Sequence, residues 1–372
     1  MANVSLVIDG VNVEVPQGTN VLEAARKAGI YIPTLCYDPD LKPYGGCRLC
    51  IVEIEKMRGF PVSCCTEATS GMVVHTETPA VNQSRRTVME LIMANHPCEC
   101  ITCHRREQCG PNDICLRQVA ITERCVTCAK NQNCELQKVT QYLGIETERF
   151  DRLRKRTRVV SIDDSNPVYI RDMNKCILCG RCWRACHEVM GIDAIEMLNR
   201  GDASTVGGLG DLPILLSRCE TCGECVYRCP TGALTYRESR VVTREVKTIC
   251  PYCGVGCQVY LGIRGDEIIS VRGDKDGPVN AGRLCVKGRF GVAGFVHHKD
   301  RLKKPLIKKN GKFEEASWDE ALDLVARTLG KYRGDEVAVI SSAKTTNEDN
   351  YVMQKLARVA LGTNNVDHCA RL

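Results

Sequence analysis

Cysteine is the residue that most constrains this chain. It occurs 26 times in 372 residues, and most of these cysteines fall in C-x2-C groups. A disulfide framework is typical of small secreted domains, whereas this chain is long and residues 1–16 lack the charged and apolar regions of an export signal. Thiolates are soft donors, and a C-x2-C loop presents two sulfurs to adjacent corners of a small cluster. The spacing therefore predicts iron–sulfur clusters.

Length, hydropathy and charge narrow the class of protein further. A chain of this length exceeds what a single core usually supports, so we expect several domains. No apolar run reaches the roughly 18 to 20 residues of a membrane helix, which predicts no membrane span and a cytoplasmic location. The net charge of +6 is modest. The basic run at 152–158 lacks interleaved aromatic residues, so we interpret it as a solvated linker and expect no nucleic-acid partner.

Residues 1–79 show the element order of a β-grasp ferredoxin. Two alternating strands over 4–16 are predicted to turn at Asp9-Gly10, and a helix over 20–29 follows them. After a cysteine loop, further strands are predicted at 51–56 and 72–76.

The cysteines of this first unit have the pattern Cys36-x10-Cys47-x2-Cys50-x13-Cys64. The first gap is longer than in plant-type ferredoxins, and it resembles the variant in the largest peripheral subunit of respiratory complex I. We therefore predict one 2Fe-2S cluster on Cys36, Cys47, Cys50 and Cys64. The next residue, Cys65, is predicted to point the other way as a buried thiol.

A second ligand region, predicted as a His-Cys 4Fe-4S domain over 80–147, begins where a helix over 80–95 ends. Its pattern is His96-x3-Cys100-x2-Cys103-x5-Cys109. This pattern resembles the His-Cys 4Fe-4S domain of the same complex I subunit, in which an imidazole replaces one thiolate. The alternative is a helix-end histidine that satisfies backbone carbonyls.

The same motif occurs a second time in this region. Cys125-x2-Cys128-x5-Cys134, followed by Glu-Leu-Gln, also resembles the family signature, so the segment is either duplicated or interrupted by an insertion. One interpretation adds Cys115 as the fourth ligand of an extra 4Fe-4S cluster. The alternative is one cluster drawn from both triplets, and Cys98 has no partner in either scheme. The chain as a whole is thus expected to hold four or five 4Fe-4S clusters.

Residues 166–240 contain two similar cysteine runs about 43 residues apart. They follow the bacterial two-cluster ferredoxin pattern, in which the fourth cysteine of each run crosses to the other cluster. His187 stands where proline usually follows the fourth cysteine, which we expect to affect only the turn. The predicted ligand sets are Cys176, Cys179, Cys182 and Cys229 for one 4Fe-4S cluster, and Cys219, Cys222, Cys225 and Cys186 for the other.

The last motif, Cys250-x2-Cys253-x3-Cys257-x27-Cys285, lies in a small β 4Fe-4S domain predicted over 245–301. Its flanks, C-P-Y-C-G-V-G-C and R-L-C-V-K-G, resemble the N-terminal 4Fe-4S domain of molybdopterin oxidoreductases, most closely the formate dehydrogenases. In that family a lysine after the last cysteine lies between cluster and pterin. The matching residue is Lys287, for which the resemblance implies cofactor binding and an electron-relay role.

Residues 302–372 are predicted to begin an α/β molybdopterin domain. The pattern changes there to a helix over 318–332, an apolar strand over 337–341 and a helix over 347–361. Within this incomplete domain we expect the apolar strand to lack neighbours, which would make it an aggregation hazard.

The predicted fold class is an α+β multidomain iron–sulfur protein with these five domains in order. That order resembles the catalytic alpha subunit of cytoplasmic NAD(P)-linked formate dehydrogenases. The resemblance implies bis-molybdopterin guanine dinucleotide with Mo or W in the full-length protein, formate and CO2 as substrates, and a partner subunit that binds flavin and NAD(P), or ferredoxin or hydrogenase subunits. The alternatives are a complex I large subunit and a non-catalytic iron–sulfur electron carrier.

The segment Asn364–Leu372 has the sequence N-N-V-D-H-C-A-R-L. In the formate dehydrogenases that it resembles, such a segment is followed by the cysteine or selenocysteine that binds the metal. The resemblance implies that the catalytic ligand follows Leu372, encoded as selenocysteine, and that no catalytic residue lies within the chain apart from the relay at Lys287. Cys369 is accordingly predicted to be structural.

Overall fold

The computed structural model describes most of the chain and divides it into two compact units, 1–239 and 240–372. Both Cys98 and the basic run at 152–158 lie outside the described residues. No helix in the part of the chain that is described is long and apolar enough to cross a membrane. The described residues are 2–97, 99–146, 150, 160–237 and 242–370.

In the first unit, short strands and helices alternate with cysteine-bearing loops. The strands are β1 (Asn3–Ile8), β2 (Val11–Pro16), β3 (Glu53–Ile54), β4 (Val73–His75), β5 (Tyr169–Arg171), β6 (Glu196–Leu198), β7 (Thr205–Gly207) and β8 (Leu234–Tyr236). The α-helices are α1 (Val21–Lys27), α2 (Pro79–Ala94), α3 (Glu135–Tyr142), α4 (Arg181–Arg184) and α5 (Glu224–Arg228). A π-helix, Ala185–Val189, continues α4. Short 3₁₀ turns lie at Ile121–Glu123, Cys125–Thr127, Met173–Lys175, Gly201–Ala203, Leu209–Asp211 and Ile214–Leu216.

The second unit contains longer strands and further helices. The strands are β9 (Arg244–Ile249), β10 (Gln258–Arg264), β11 (Glu267–Gly273), β12 (Leu306–Lys309), β13 (Lys312–Glu315), β14 (Val339–Ser341) and β15 (Val366–His368). The α-helices are α6 (Val292–Val296), α7 (Trp318–Leu329) and α8 (Asn347–Lys355). Two π-helices, Lys287–Gly291 and Leu356–Ala360, and a 3₁₀ turn, Gly334–Glu336, complete it.

The first sheet of the chain has the β-grasp order predicted from sequence. Its strands lie in the order β2-β1-β4-β3, with β1 antiparallel to β2 and parallel to β4. The hairpin turns at Asp9 and Gly10, whose φ angles of 48° and 83° suit a tight two-residue loop. β3 is shorter than predicted because Lys56, with φ at 66°, turns the chain soon after it. Helix α1 covers the sheet with buried Val21 and Leu22.

Helix α2 carries the chain to the second ligand region. Thr78 caps it through a 3.2 Å hydrogen bond from the Val81 amide, and Pro79 occupies its first turn. Met89 and Met93 are buried on its inner face. The helix ends one residue before its C-cap Asn95, so the predicted helix over 80–95 is confirmed.

The two cysteine runs of residues 166–237 fold as a structural repeat. Leu178 and Thr221, at the same position of each run, have φ angles of 55° and 56°. The glycines that follow two residues later cap α4 and α5 with φ angles of 74° and 76°. Each run therefore bends identically and enters a helix that carries its third cysteine. Antiparallel pairs β5-β8 and β6-β7 flank the helices.

In the second unit, β9, β10 and β11 form an antiparallel sheet in the order β11-β10-β9. β10 and β11 form the small β structure expected within 245–301. β9 was not predicted, because all its side chains are exposed and its apolar residues, Val246 and Ile249, do not follow the two-residue period of a strand. β14 pairs in parallel with β15. The expectation that the strand over 337–341 lacks neighbours is therefore wrong, because residues near 366 return to its edge.

Candidate iron–sulfur sites

The described cysteines are all free thiols, and none forms a disulfide. Within the described ranges, no group of three or more His, Cys, Asp or Glu side chains is close enough to hold a single metal ion. Cluster ligands stand further apart, because each thiolate binds a different corner of the iron–sulfur core. A cluster site is therefore expected where several sulfurs lie around a common space.

The four predicted 2Fe-2S ligands come together as two sulfur pairs. Cys36 lies next to Cys47, and Cys50 lies next to Cys64. The interaction within each pair lowers the pKa of Cys47 to about 6 and that of Cys50 to about 7, and raises the pKa of the partner thiol. Each pair thus favours a thiolate, the form that binds iron.

Backbone amides also face these sulfurs. The Cys47 amide donates to Cys36 Sγ over 3.4 Å, and the Leu35 amide donates to Cys47 Sγ over 3.5 Å. Cys65 is exposed, with its Sγ 3.6 Å from Cys64 Sγ. The prediction that Cys65 is buried is therefore wrong, because the chain turns its side chain outward beside Gly45, where a Cβ would come within 2.9 Å of Cys65 Sγ.

Two buried arginines anchor the 2Fe-2S loop to the two-cluster segment. Arg184 donates to the carbonyl oxygens of Cys36 and Lys42 over 2.6 and 2.7 Å. Arg228 forms ion pairs with Asp38 at 2.5 Å, Asp40 at 2.9 Å and Glu224 at 2.9 Å.

Sequence analysis missed both arginines. Each lies more than 140 positions from its partners in the loop, at separations for which the sequence carries no local signal.

In the two-cluster segment, the structure places the fourth cysteine of each run beside the first three of the other. One apolar cavity is lined by Cys176, Cys179, Cys182 and Cys229. Around the other set, burial raises the pKa of Cys225 well above its usual range, and the nearby thiols Cys222, Cys219 and Cys186 add to that effect. Iron would offset this penalty, since a bound cation stabilises the thiolate.

Equivalent amides in the two runs donate to equivalent sulfurs. The Leu178 amide donates to Cys176 Sγ over 3.4 Å, and the Thr221 amide donates to Cys219 Sγ over 3.4 Å. Hydrogen bonds to cluster sulfurs are among the factors that set reduction potential. The repeat thus supplies the same backbone hydrogen bond twice.

The sulfurs and imidazole of residues 96–134 line two neighbouring cavities. One cavity is lined by His96, Cys125, Cys128 and Cys134. The other is lined by Cys100, Cys103, Cys109 and Cys115, and Cys125 lines this cavity as well. This grouping differs from the prediction from spacing, which placed His96 with Cys100, Cys103 and Cys109.

The triplet Cys125, Cys128 and Cys134 packs closely against the two-cluster segment. The Glu135 amide donates to the Pro230 carbonyl over 2.9 Å, and the Glu135 carboxylate forms a 2.7 Å ion pair with Arg181. A Cβ on Gly232 would lie only 2.5 Å from Cys128 Sγ. Sequence analysis did not single out Gly232, although it lies three residues after Cys229.

In the second unit, the last four cysteines gather at the end of the β9-β10-β11 sheet. Burial is the largest cause that raises the pKa of Cys250, and the neighbouring Cys285 and Cys253 add to it. A Cβ on Gly288 would lie 3.6 Å from Cys250 Sγ. Lys287 is exposed and begins the π-helix just after Cys285, so its relay role stays a prediction.

The Cys253-Gly254 loop is joined to helix α8 by one hydrogen bond. Asn347 Nδ2 donates to the Gly254 carbonyl over 2.6 Å. Beside this contact, Ser341 donates to Asn350 Oδ1 over 2.5 Å, at the end of β14. Cys369 is exposed with its Sγ 3.4 Å from Ser342 Oγ, and that hydrogen bond lowers the Cys369 pKa. Its predicted structural role stays a prediction.

Comparison with known sequence families finds five families that match parts of the chain. The matches are the 2Fe-2S iron–sulfur cluster binding domain at 1–79, the NADH-ubiquinone oxidoreductase-G iron–sulfur binding region at 85–115 and 122–149, the 4Fe-4S dicluster domain at 175–233, the molybdopterin oxidoreductase Fe4S4 domain at 243–297, and the molybdopterin oxidoreductase domain at 301–372.

Curated relatives align with nearly the whole chain but carry different names. A Rhizobium meliloti protein named as a subunit of NADH-quinone oxidoreductase is 38% identical over 99% of this chain and 40% of the relative. NADPH-Fe(3+) oxidoreductase subunit alpha of Geobacter sulfurreducens is 34% identical with the same coverage. The Bacillus subtilis protein named "Putative formate dehydrogenase YrhE" is 32% identical with the same coverage. The chain thus spans about 40% of the length of these relatives.

Proposed function

Because the chain is a multidomain iron–sulfur protein that carries 2Fe-2S and 4Fe-4S domains and the start of a molybdopterin oxidoreductase domain, we propose that it is the electron-transferring N-terminal portion of a formate dehydrogenase alpha subunit. The full-length protein then oxidises formate to CO2, with release of a proton and two electrons. When bound, a bis-molybdopterin guanine dinucleotide with Mo or W supplies the site that accepts the electron pair. The residues of this chain hold and space the clusters.

The observation that carries this proposal lies in the second unit. The Cys250 amide donates to the Cys257 carbonyl over 2.8 Å, and Cys253 and Cys285 lie near enough to raise the pKa of Cys257. The loop after Cys253 is hydrogen-bonded to Asn347 at the start of α8. α8 belongs to the region that matches the molybdopterin oxidoreductase domain. A 4Fe-4S cluster on these cysteines would therefore sit against the domain that binds the pterin. Lys287, next but one after Cys285, is the residue we assign as relay.

In the first unit, we assign the 2Fe-2S cluster to Cys36, Cys47, Cys50 and Cys64. The crossed sets of the two-cluster segment hold 4Fe-4S clusters. The donors fit these groups, since the four thiols of each set lie near one another. Arg184 and Arg228 hold the 2Fe-2S loop against the two-cluster segment, so the protein keeps neighbouring clusters at constant separation.

The partner in this proposal is a subunit that binds flavin and NAD(P), and the location is the cytoplasm. Relatives carry names with NADH and NADPH as electron donors or acceptors, which supports a nicotinamide partner. Single electrons from one-electron clusters must be combined to form a hydride, and flavin is the cofactor that does so. Ferredoxin and a hydrogenase subunit are the alternative acceptors.

The test uses the native protein, purified anaerobically with its bound subunits. We expect Mo or W, about two electrons delivered per formate, and formate-dependent reduction of NAD+ or NADP+. Absence of Mo and W together with absence of formate-dependent bleaching of the clusters would refute the proposal.

A second candidate is a complex I-like NADH-quinone oxidoreductase large subunit. It is favoured by the higher identity of the relative that is named for that enzyme. In that case NADH, and not formate, would reduce the clusters, and quinone would reoxidise them. Stopped-flow reduction of the native protein by formate and by NADH, with visible absorbance as the readout, separates the two candidates.

A further inference from the structure

The two copies of the cysteine motif in residues 96–134 do not have the same set of candidate ligands. In the first copy His96 stands four positions before Cys100, whereas in the second copy the equivalent position before Cys125 is Ile121, a mostly exposed apolar side chain. The two family matches, at 85–115 and 122–149, cover the two copies separately. The second copy therefore has three cysteines and no fourth ligand at the position that the motif provides.

His96 lies with the cysteines of the second copy. It lines a cavity together with Cys125, Cys128 and Cys134, and the cysteines of the first copy do not line that cavity. The residue is 7% exposed and lies just after the end of α2. His96 Nδ1 is 3.0 Å from the Pro97 carbonyl oxygen.

That contact suits a ligand histidine. Metal-bound histidines commonly donate one ring N–H to a backbone carbonyl and bind through the other nitrogen. A neutral imidazole that donates from Nδ1 carries its lone pair on Nε2. The Pro97 carbonyl would then hold the tautomer in which Nε2 is the donor to iron.

Cys115 lies with the cysteines of the first copy. It lines the other cavity with Cys100, Cys103 and Cys109, and its Sγ accepts a 3.4 Å hydrogen bond from the Val119 amide. Cys115 does not line the His96 cavity. If His96 binds the cluster of the second copy, Cys115 supplies the fourth ligand for the cluster of the first copy.

We infer that the fourth ligands expected from spacing cross between the two copies: His96 completes a 4Fe-4S cluster on Cys125, Cys128 and Cys134, and Cys115 completes a second, all-cysteine 4Fe-4S cluster on Cys100, Cys103 and Cys109. Only His96 leaves its own copy, whereas in two-cluster ferredoxins both fourth ligands do so. The crossing gives the segment two clusters, and it places the imidazole on the cluster nearer the two-cluster segment.

Cys125 is the residue where the two cavities meet. It lines both cavities, and it lies close enough to Cys100 to lower the pKa of that thiol. If both copies shared a single cluster, Cys100 and Cys125 would be its ligands from the first and second copy. Under the crossed arrangement Cys125 belongs with His96, because the other cavity already holds four sulfurs.

The experiment compares two equivalent cysteines in the holo-protein, Cys103→Ala in the first copy and Cys128→Ala in the second. Pulsed electron paramagnetic resonance of the reduced protein detects hyperfine coupling to an imidazole nitrogen. We expect the coupling in the wild type, its retention in Cys103→Ala, and its complete loss in Cys128→Ala and in His96→Cys. The signals of the 2Fe-2S and two-cluster segments serve as the control for folding.

Loss of the nitrogen coupling only in Cys103→Ala would restore the sequential arrangement and overturn the inference. Loss in both variants, retention in both, or no coupling in the wild type would overturn it as well. Cys115→Ala gives an independent readout if Cys128→Ala fails the folding control. We expect it to remove one 4Fe-4S cluster by iron analysis with the nitrogen coupling unchanged, and loss of the coupling or full iron content would contradict the crossing.

Discussion

The two duplicated cysteine segments of the first unit differ in what supports their ligands. In the two-cluster segment, helices α4 and α5 carry ligand cysteines, and equivalent amides face equivalent sulfurs. Between His96 and Cys134 the described residues form only turns and 3₁₀ turns. There, the side chains of Arg117 and Arg124 donate hydrogen bonds to backbone carbonyls, whereas a helix or sheet would use regular backbone hydrogen bonds. Helices and buried ion pairs can position ligands before a cluster arrives, whereas a chain of turns relies on the cluster itself.

The largest expected effect of this difference follows cluster removal. Metal binding contributes directly to folding free energy where the site is not preformed. After anaerobic treatment with an iron chelator, we expect trypsin to cleave first at arginines within 99–126, such as Arg105 and Arg117, and only later at Arg184 and Arg228, which are buried. Mass spectrometry of the fragments over time measures the order.

The holo-protein treated with trypsin alone is the control, and it should be resistant in both segments. Simultaneous cleavage in the two segments after chelation would mean that the two-cluster segment needs its clusters to stay folded as much as residues 96–134 do.

Removing the central arginine of the ion-pair network tests the support of the two-cluster segment. The Arg228 and Glu224 side chains are 3% and 1% exposed. Arg228→Met leaves the carboxylates of Glu224 and Asp38 without their arginine partner. We expect this change to lower the free energy of unfolding by about 3–5 kcal/mol. Urea unfolding followed by bleaching of the 2Fe-2S absorbance measures it.

The matched control is Arg26→Met, which removes an exposed Arg26–Glu23 pair on helix α1. Exposed pairs contribute about 0–1 kcal/mol. If Arg228→Met lowers the free energy of unfolding by less than about 1 kcal/mol, the ion-pair network does not hold the 2Fe-2S loop in position.

A smaller effect is expected where the two segments meet. In Gly232→Ala the new Cβ would collide with Cys128 Sγ, and overpacking of this kind costs about 1–3 kcal/mol. We expect partial loss of the cluster that contains Cys128, seen as a lower nitrogen-coupled signal. Gly110→Ala, beside Cys109, is the control, because its Cβ would meet only Asp113 atoms at 3.6 Å or more. Equal losses of the nitrogen-coupled signal in Gly232→Ala and Gly110→Ala would refute a specific effect of the close approach between Gly232 and Cys128 Sγ.

The smallest effect concerns the second unit, where one side-chain hydrogen bond joins the Cys253-Gly254 loop to α8. Asn347→Ala removes the 2.6 Å bond to the Gly254 carbonyl, worth about 1 kcal/mol. We expect a change in the potential of the Cys250 cluster in a redox titration. Glu348→Ala, at the next, exposed position, should leave that potential unchanged.

Sequence predicted the elements with strong local signals. The hairpin at Asp9-Gly10, the helix before His96 and the repeat that bends at Leu178 and Thr221 all depend on residues within one or two turns of each other. β9 was not predicted because its side chains are all exposed and its apolar residues lack the two-residue period of a half-buried strand. Cys65 was wrongly predicted as buried because adjacent cysteines do not reveal which side chain faces the core.

The sequence by itself determined which residues are available as ligands, because C-x2-C spacing is a local property of the backbone. Which ligands face a common space was decided by the tertiary structure. His96 and Cys134 are 38 positions apart, and Arg228 and Asp38 are 190 apart. Contacts at such separations depend on how helices and loops pack, so only the folded chain brings His96 to Cys125, Cys128 and Cys134 and Cys115 to Cys100, Cys103 and Cys109.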